Sequence, residues 1–337
     1  MWKAFLMTLP VLAPFLLFYW LADPFKVLRS PAVFYEDTAM PQVGLNKGMV
    51  TVENFERQLK NGNKYNAFIF GSSISCYYDA EEWAAYFKED SVAPYHFDSG
   101  MESLEQMAEK VNYLNNKGIP IKYALIILDP IIMAGETDDS PMSISPPQLS
   151  GNPLEWIKYH YTFFRASTNA DFLKSWIPGR ISGKSYFLGR NPVFEVQPIV
   201  YDQIHNQESI PLWDSLINSD KEKFYSEHPL LDSPDEITVS EELLSSEKSA
   251  YLKKIADIFK AQGTDYEVII GPNRRKVVLN PQDKVTLDSI FGARKVHDFS
   301  RSFARDLETD SYLYDNTHYR PPYASKLMKL VYGSRNR

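Results

Sequence analysis

The sequence predicts an α/β protein: a doubly wound parallel sheet with a large aromatic-rich insertion and an N-terminal transmembrane helix. Three features lead there. Short apolar runs alternate with amphipathic segments from residue 66 to 130 and again from 240, a rhythm that calls for a parallel sheet with right-handed crossovers. Between 135 and 238 the rhythm gives way to prolines and aromatic rings. Near the N-terminus, Ala4 to Ala22 runs without a charge.

Taken in order, the uncharged segment comes first. Its roughly 19 residues at 1.5 Å each approach the ~30 Å hydrocarbon core of a bilayer, and Phe18, Tyr19 and Trp20 end it like an interfacial belt. A cleavable signal peptide is the competing reading, but such peptides have shorter apolar regions and no convincing cleavage site stands near "LADPF". Residues 1–25 are therefore expected to anchor the chain through residues 4–22, with the body exported to the periplasm or cell surface. Residues 26–50 contain Pro31 and Pro41 and little periodicity, which suits a tether.

"VTVENFERQLKNGNKY" reads as a helix, followed by a strand from Asn66 to Phe70, a helix over "DAEEWAAYFKED" and a strand over 93–100. "MESLEQMAEKVNYLNNKG" is an amphipathic helix closed by Gly118, and "KYALIILDP" is a continuous apolar run typical of a strand buried on both faces. The pattern resumes with a helix over 240–263, a strand over 265–273, a helix over 281–292, a short strand over 295–300 and a last helix after "YDNTH". The α/β domain is thus expected over 51–135 and 239–337, with 136–238 inserted as a cap-like subdomain. Its rings, among them Trp156, Tyr159, Phe163, Trp176, Phe187 and Trp213, could stack sugars, meet a membrane partner or form the subdomain's own core.

Composition narrows the function. The 337 residues are 44% hydrophobic and 23% charged, with a net charge of −7, which opposes a nucleic-acid partner because phosphate binding needs a basic face. The single cysteine, Cys76, rules out an intramolecular disulfide and a Cys-rich zinc site, and reads as a small buried hydrophobe. His96, His160, His228 and His297 lack metal-ligand spacing, so no metal site is expected, and no cofactor either.

The chemistry gathers at the strand ends. Gly71-Ser72-Ser73 closes the first strand, where a doubly wound sheet binds its ligands and where helix N–H groups can stabilise an oxyanion. A serine nucleophile needs a base, and the base an orienting acid. Asp315-Asn-Thr-His318 lies in the last loop, on the same edge; a second Asp-x-x-His, Asp202 to His205, lies inside the insertion.

Together these motifs resemble the SGNH, or GDSL-like, hydrolase superfamily, over residues 66–135 and 240–332. The resemblance implies a flavodoxin-like SGNH fold, with Ser73 as nucleophile, His318 as base, Asp315 as its orienting residue, and the N–H groups of Ser73 and Gly100 as oxyanion hole. The family's Gly-x-Asn-Asp element is missing: "IILDPIIM" puts Asp129 where the asparagine is expected, and Asn273 is the candidate substitute. Arg274 and Arg275 are candidates for an anionic substrate, with a solvated basic turn as the alternative. The GSS motif and the anchor are similar to those of membrane-anchored cell-envelope acylation proteins of the alginate O-acetylation and teichoic-acid D-alanylation accessory type. That implies a serine esterase or O-acyltransferase acting on an envelope polysaccharide, with a membrane acyl-donor protein as partner. The alternative is a non-catalytic assembly component that kept the fold.

Overall fold

The computed structural model describes residues 2–35, 43–89, 91–136, 138–183, 198–308 and 310–333. Its longer helices are α1 (Trp2–Ala22), α2 (Lys47–Lys60), α3 (Leu104–Asn116), α4 (Pro153–Ser167), α5 (Ala170–Ser182), α6 (Ser246–Gln262), α7 (Pro281–Phe291) and α8 (Pro321–Tyr332). The central sheet has five strands: β1 (Ala67–Phe70), β2 (Pro94–His96), β3 (Tyr123–Leu128), β4 (Asp265–Ile270) and β5 (Val296–Asp298). All pairs are parallel and the order is β2-β1-β3-β4-β5. This is the doubly wound order whose switch point lies between β1 and β3.

Side chains alternate across each strand, so the two faces bury different residues. Ala67, Ile69, Leu125, Ile127 and Ile269 pack under Tyr323, Leu327 and Met328 of α8. On the other face Phe68 meets Phe55 of α2 at 6.0 Å between ring centroids, and Phe70 meets Phe259 of α6 at 6.3 Å. Each such fully buried apolar side chain contributes about 1.5–3 kcal/mol.

Local chemistry sets the element ends. Ser103 and Gln106 form a reciprocal capping box at the start of α3. The helix expected from 240 begins only at Ser246, because Ser245 caps it and the Asp283 carboxylate accepts the N–H groups of Leu243 (2.8 Å) and Leu244 (3.0 Å). The expected helix over 79–90 is a short one, Ala80–Ala84, capped by Asp79, and the strand over 93–100 is paired only from Pro94 to His96.

The chain divides into two compact units: Met1–Glu53 with Asp138–Ile199, and Asn54–Thr137 with Val200–Arg337. The expected insertion over 136–238 therefore does not form one subdomain. Its second half belongs to the α/β unit because Ile210, Ile217 and Phe224 bury with Cys76, Tyr77 and Tyr314. The expected tether is also packed where it is described; residues 36–42 and Phe187 lie outside the described residues. Phe25 stacks on Phe172 at 5.1 Å between centroids, Phe34 is buried, and Asn46 donates to the carbonyl of Ile144 at 2.8 Å. Asp23 accepts the N–H groups of Val27 and Arg29, each at 2.9 Å, and folds the chain back after α1.

Among the described residues no helix is long and apolar enough to cross a membrane. The segment 4–22 falls within α1, where the side chains of residues 2–9 and 11 lie outside those described. The described remainder exposes Leu16, Leu17, Trp20 and Leu21.

Candidate active site

β1 delivers its C-terminal end to Gly71, whose lack of a side chain is a steric requirement. A Cβ there would sit 2.7 Å from Cβ of Ser75 and 3.0 Å from the carbonyl oxygen of Ile127. The chain then enters a single 3-10 helix, Ser73–Tyr77. Ser72 is buried and caps it, its hydroxyl accepting the N–H of Ile74, while the hydroxyl of Ser75 donates to the Ser72 carbonyl at 2.7 Å. Ser73 opens that helix half-buried, where a helix leaves its first N–H groups without internal partners.

The second element is the loop before α8. Leu313 and Tyr319 form an antiparallel bridge, and Tyr314 N–H donates to the His318 carbonyl at 2.9 Å, closing a tight excursion of the chain. Inside it the Asp315 carboxylate accepts the N–H groups of Thr317 (2.7 Å) and His318 (2.8 Å), an Asx-type turn that fixes its direction. Its other oxygen lies 2.8 Å from His318 Nδ1, and His318 Nε2 lies 2.9 Å from the Ser73 hydroxyl oxygen. Residues 245 positions apart in the chain thus meet at hydrogen-bond distance. Burial opposes the charge on Asp315, but the His318 ring and the two backbone N–H groups outweigh it and hold the carboxyl below its ordinary range. The carboxylate is therefore an acceptor for Nδ1–H, which leaves Nε2 to accept from the serine.

Asp202 and His205 also pair, at 2.6 Å, in the hairpin of Val200–Asp202 with Gln207–Ser209. Asp202 raises the His205 pKa, and His205 gives its backbone carbonyl to His96 N–H. Only His318 of the two is placed against a serine among the described residues.

Gly100 is brought alongside by an extension of β2: Phe97 N–H donates to the Ile69 carbonyl at 2.7 Å and Ser99 N–H to that of Gly71 at 3.2 Å. A buried cluster supports this loop from below. Lys110 Nζ reaches the Ser99 hydroxyl (2.7 Å), the Phe97 carbonyl (3.2 Å) and Glu102 (2.9 Å). Burial pushes the Glu102 carboxyl up to about 7 despite Lys110.

The remaining expected donors are used elsewhere. Asn273 donates to the Val277 carbonyl at 2.7 Å and accepts its N–H, closing its own turn rather than standing as an oxyanion donor. Asp129 is fully buried after β3, beside the Tyr78 and Tyr319 hydroxyls, which lie 2.8 Å apart. Arg274 bridges loops through the carbonyls of Leu231 (3.1 Å) and Leu307 (3.2 Å) instead of facing an anion site, and Arg275 is exposed. Cys76 is buried with its thiol 2.7 Å from the Ser73 carbonyl. Among the described residues no group of three His, Cys, Asp or Glu side chains could hold a metal ion.

A set of positioning residues escaped the sequence reading. Arg320 donates to Asp214 (2.8 Å), Asn218 (2.9 Å) and the Ser311 carbonyl (2.7 Å), while the Tyr314 hydroxyl donates to the other Asp214 oxygen at 2.6 Å. Asp214 and Asn218 lie on the helix Pro211–Ser219, so this segment grips both sides of the histidine loop. Asn316 adds a further tie by accepting the N–H of Leu231 at 2.7 Å. Nothing in local spacing pairs residue 214 with 320.

No family model matches the chain, and no curated protein matches it.

Proposed function

We propose that this chain is a membrane-anchored serine esterase or O-acyltransferase of SGNH type, acting on a polysaccharide of the cell envelope. The observation that carries the reading is the continuous line Asp315–His318–Ser73, with hydrogen-bond distances at both joints. The Ser73 hydroxyl attacks the acyl carbonyl as His318 Nε2 takes its proton, and the N–H groups of Ser73 and Gly100 receive the oxyanion. Collapse expels the donor's alcohol, protonated by His318, and leaves an ester on Ser73. His318 then deprotonates water or a sugar hydroxyl, which takes the acyl group as the bond to Ser73 breaks, and His318 returns the proton to the serine oxygen. The anchor at 4–22, an exported body and a membrane protein as acyl donor complete the proposal.

A second reading is favoured by one observation. The resemblance expects an asparagine donor where Asp129 stands, and losing one such donor costs ~10²–10³ in rate, so a non-catalytic assembly component is the alternative. Hydrolysis of p-nitrophenyl acetate by the full chain separates the two. The enzyme reading expects turnover that Ser73→Ala abolishes and Ser72→Ala leaves largely intact. Turnover unchanged by Ser73→Ala would sink it.

A further inference from the structure

The unit formed by Met1–Glu53 and Asp138–Ile199 contains a cleft of about 620 Å³, within the range of small-ligand sites. Trp20, at the end of α1, and Trp156, on α4, line it with rings that are 61% and 54% exposed. Arg29 lies over the Trp20 ring, 6.0 Å from its centroid, whereas the Trp156 indole packs on His160 at 4.2 Å between centroids and leaves the rest of its surface to the cleft. The polar lining is compact: Glu53, Gln148, Asn152, Tyr159 and His160. Gln148 Nε2 donates to a Glu53 oxygen at 2.6 Å, holding that carboxylate in place, and the Tyr19 hydroxyl lies 3.1 Å from His160 Nδ1.

Tyr159 supplies the second, independent observation. It is only 2% exposed, and its hydroxyl has no hydrogen-bond partner among the described residues. An unpaired buried hydroxyl is unfavourable, and a ligand acceptor would remove that penalty.

We propose that this cleft binds a neutral sugar unit of a glycan chain, its ring stacked on Trp156 and its hydroxyls bonded to Tyr159, Glu53 and Gln148. Glu53 is the charged side chain among the described lining residues, and Arg29 beside Trp20 is engaged by the carbonyls of Trp20 and Leu21, so a uronate or phosphate would meet the Glu53 carboxylate uncompensated. Burial also keeps His160 toward its neutral form. A purely aliphatic ligand would leave the Tyr159 hydroxyl unpaired and cover the Glu53–Gln148 pair without bonding its remaining polar atoms. Sugars have what remains: flat C–H faces for the rings and a rim of hydroxyls that both donate and accept. The site stands on this unit alone and is independent of the chemistry proposed at Ser73.

The test uses the full chain in a polyoxyethylene detergent, which contains no sugar. Maltotetraose, cellotetraose, chitotetraose, tetragalacturonate and tetramethylammonium are titrated by calorimetry and by tryptophan fluorescence. At least one neutral tetrasaccharide should bind and quench fluorescence, and tetragalacturonate should not. Trp156→Ala should weaken binding about fivefold to tenfold through the lost stacking, and Tyr159→Phe should weaken it several-fold while the fold is retained. Absence of binding by every neutral sugar, equal binding by both variants, or binding of tetramethylammonium alone would overturn the proposal. Fluorophosphonate labelling of the same samples keeps the two readings apart. A labelled chain that ignores sugars loses only this site, and an unlabelled chain that binds them supports it without supporting the enzyme.

Discussion

Replacing Asp315 with asparagine perturbs a single feature of the site, the acceptor that faces His318. An asparagine carbonyl can still accept the N–H groups of Thr317 and His318, now 2.7 and 2.8 Å from the carboxylate, so the turn and the fold should persist. The change falls on the bond to His318 Nδ1, at 2.8 Å, where an NH₂ would replace an acceptor oxygen. The amide then favours the tautomer with Nδ1 as acceptor and Nε2–H as donor, so the nitrogen 2.9 Å from Ser73 can no longer take its proton. In a triad this inversion costs ~10⁴ in rate, about 5.4 kcal/mol of barrier at 1.36 kcal/mol per tenfold. The assay is p-nitrophenyl acetate turnover by Asp315→Asn, with Asp202→Asn as the control of the same motif and thermal unfolding of both. A folded Asp315→Asn protein within tenfold of wild type, or an Asp202→Asn protein equally impaired, would refute the reasoning.

Gly71→Ala should destabilise the protein by about 1–3 kcal/mol and slow turnover, because the new Cβ meets Ser75 and the Ile127 carbonyl at the foot of the serine; denaturant unfolding measures the first effect. Arg320→Met leaves Asp214 without its charged donor and should cost about 1.5–3 kcal/mol in a urea melt, with kcat falling more than KM rises as the histidine loop loosens. Glu102 has its carboxyl raised to about 7 in the fold against 4.5 when unfolded, so its protonated form stabilises the protein below about pH 4.5 and that contribution is lost as pH rises through 7. Tm should accordingly decline between those values, and Glu102→Gln should flatten the decline.

The parallel sheet was legible because its strands announce themselves locally. Ala67–Phe70 and Tyr123–Leu128 are unbroken apolar runs, and buried parallel strands need nothing else to be recognised. Ser73, Asp315 and His318 were legible for a related reason: two lie on a short motif, and topology brings the ends of β1 and of the last loop to one edge. What escaped was built from contacts between distant residues. Asp214 and Arg320 have no shared period, and the hairpin at 200–209 is held by Tyr65 and Asn54 donating to the carbonyls of Ile204 and Gln203. Residues 26–50 read as a tether because the burial of Phe34, and of Phe25 just before it against rings of α4 and α5, rests on partners far along the chain. Asn273 was a reasonable donor by position after β4, but position does not reveal that its amide closes a turn of its own.

The central claim is that Ser73 is a nucleophile activated by His318. Mass spectrometry of the full chain after reaction with a fluorophosphonate tests it most directly, since the reagent modifies a serine only when a base has activated it. One adduct is expected, on the peptide containing Ser73, absent in Ser73→Ala and strongly reduced in His318→Ala, with Ser72→Ala labelled normally. A folded wild-type chain that stays unmodified, or is modified at a serine other than Ser73, would contradict it.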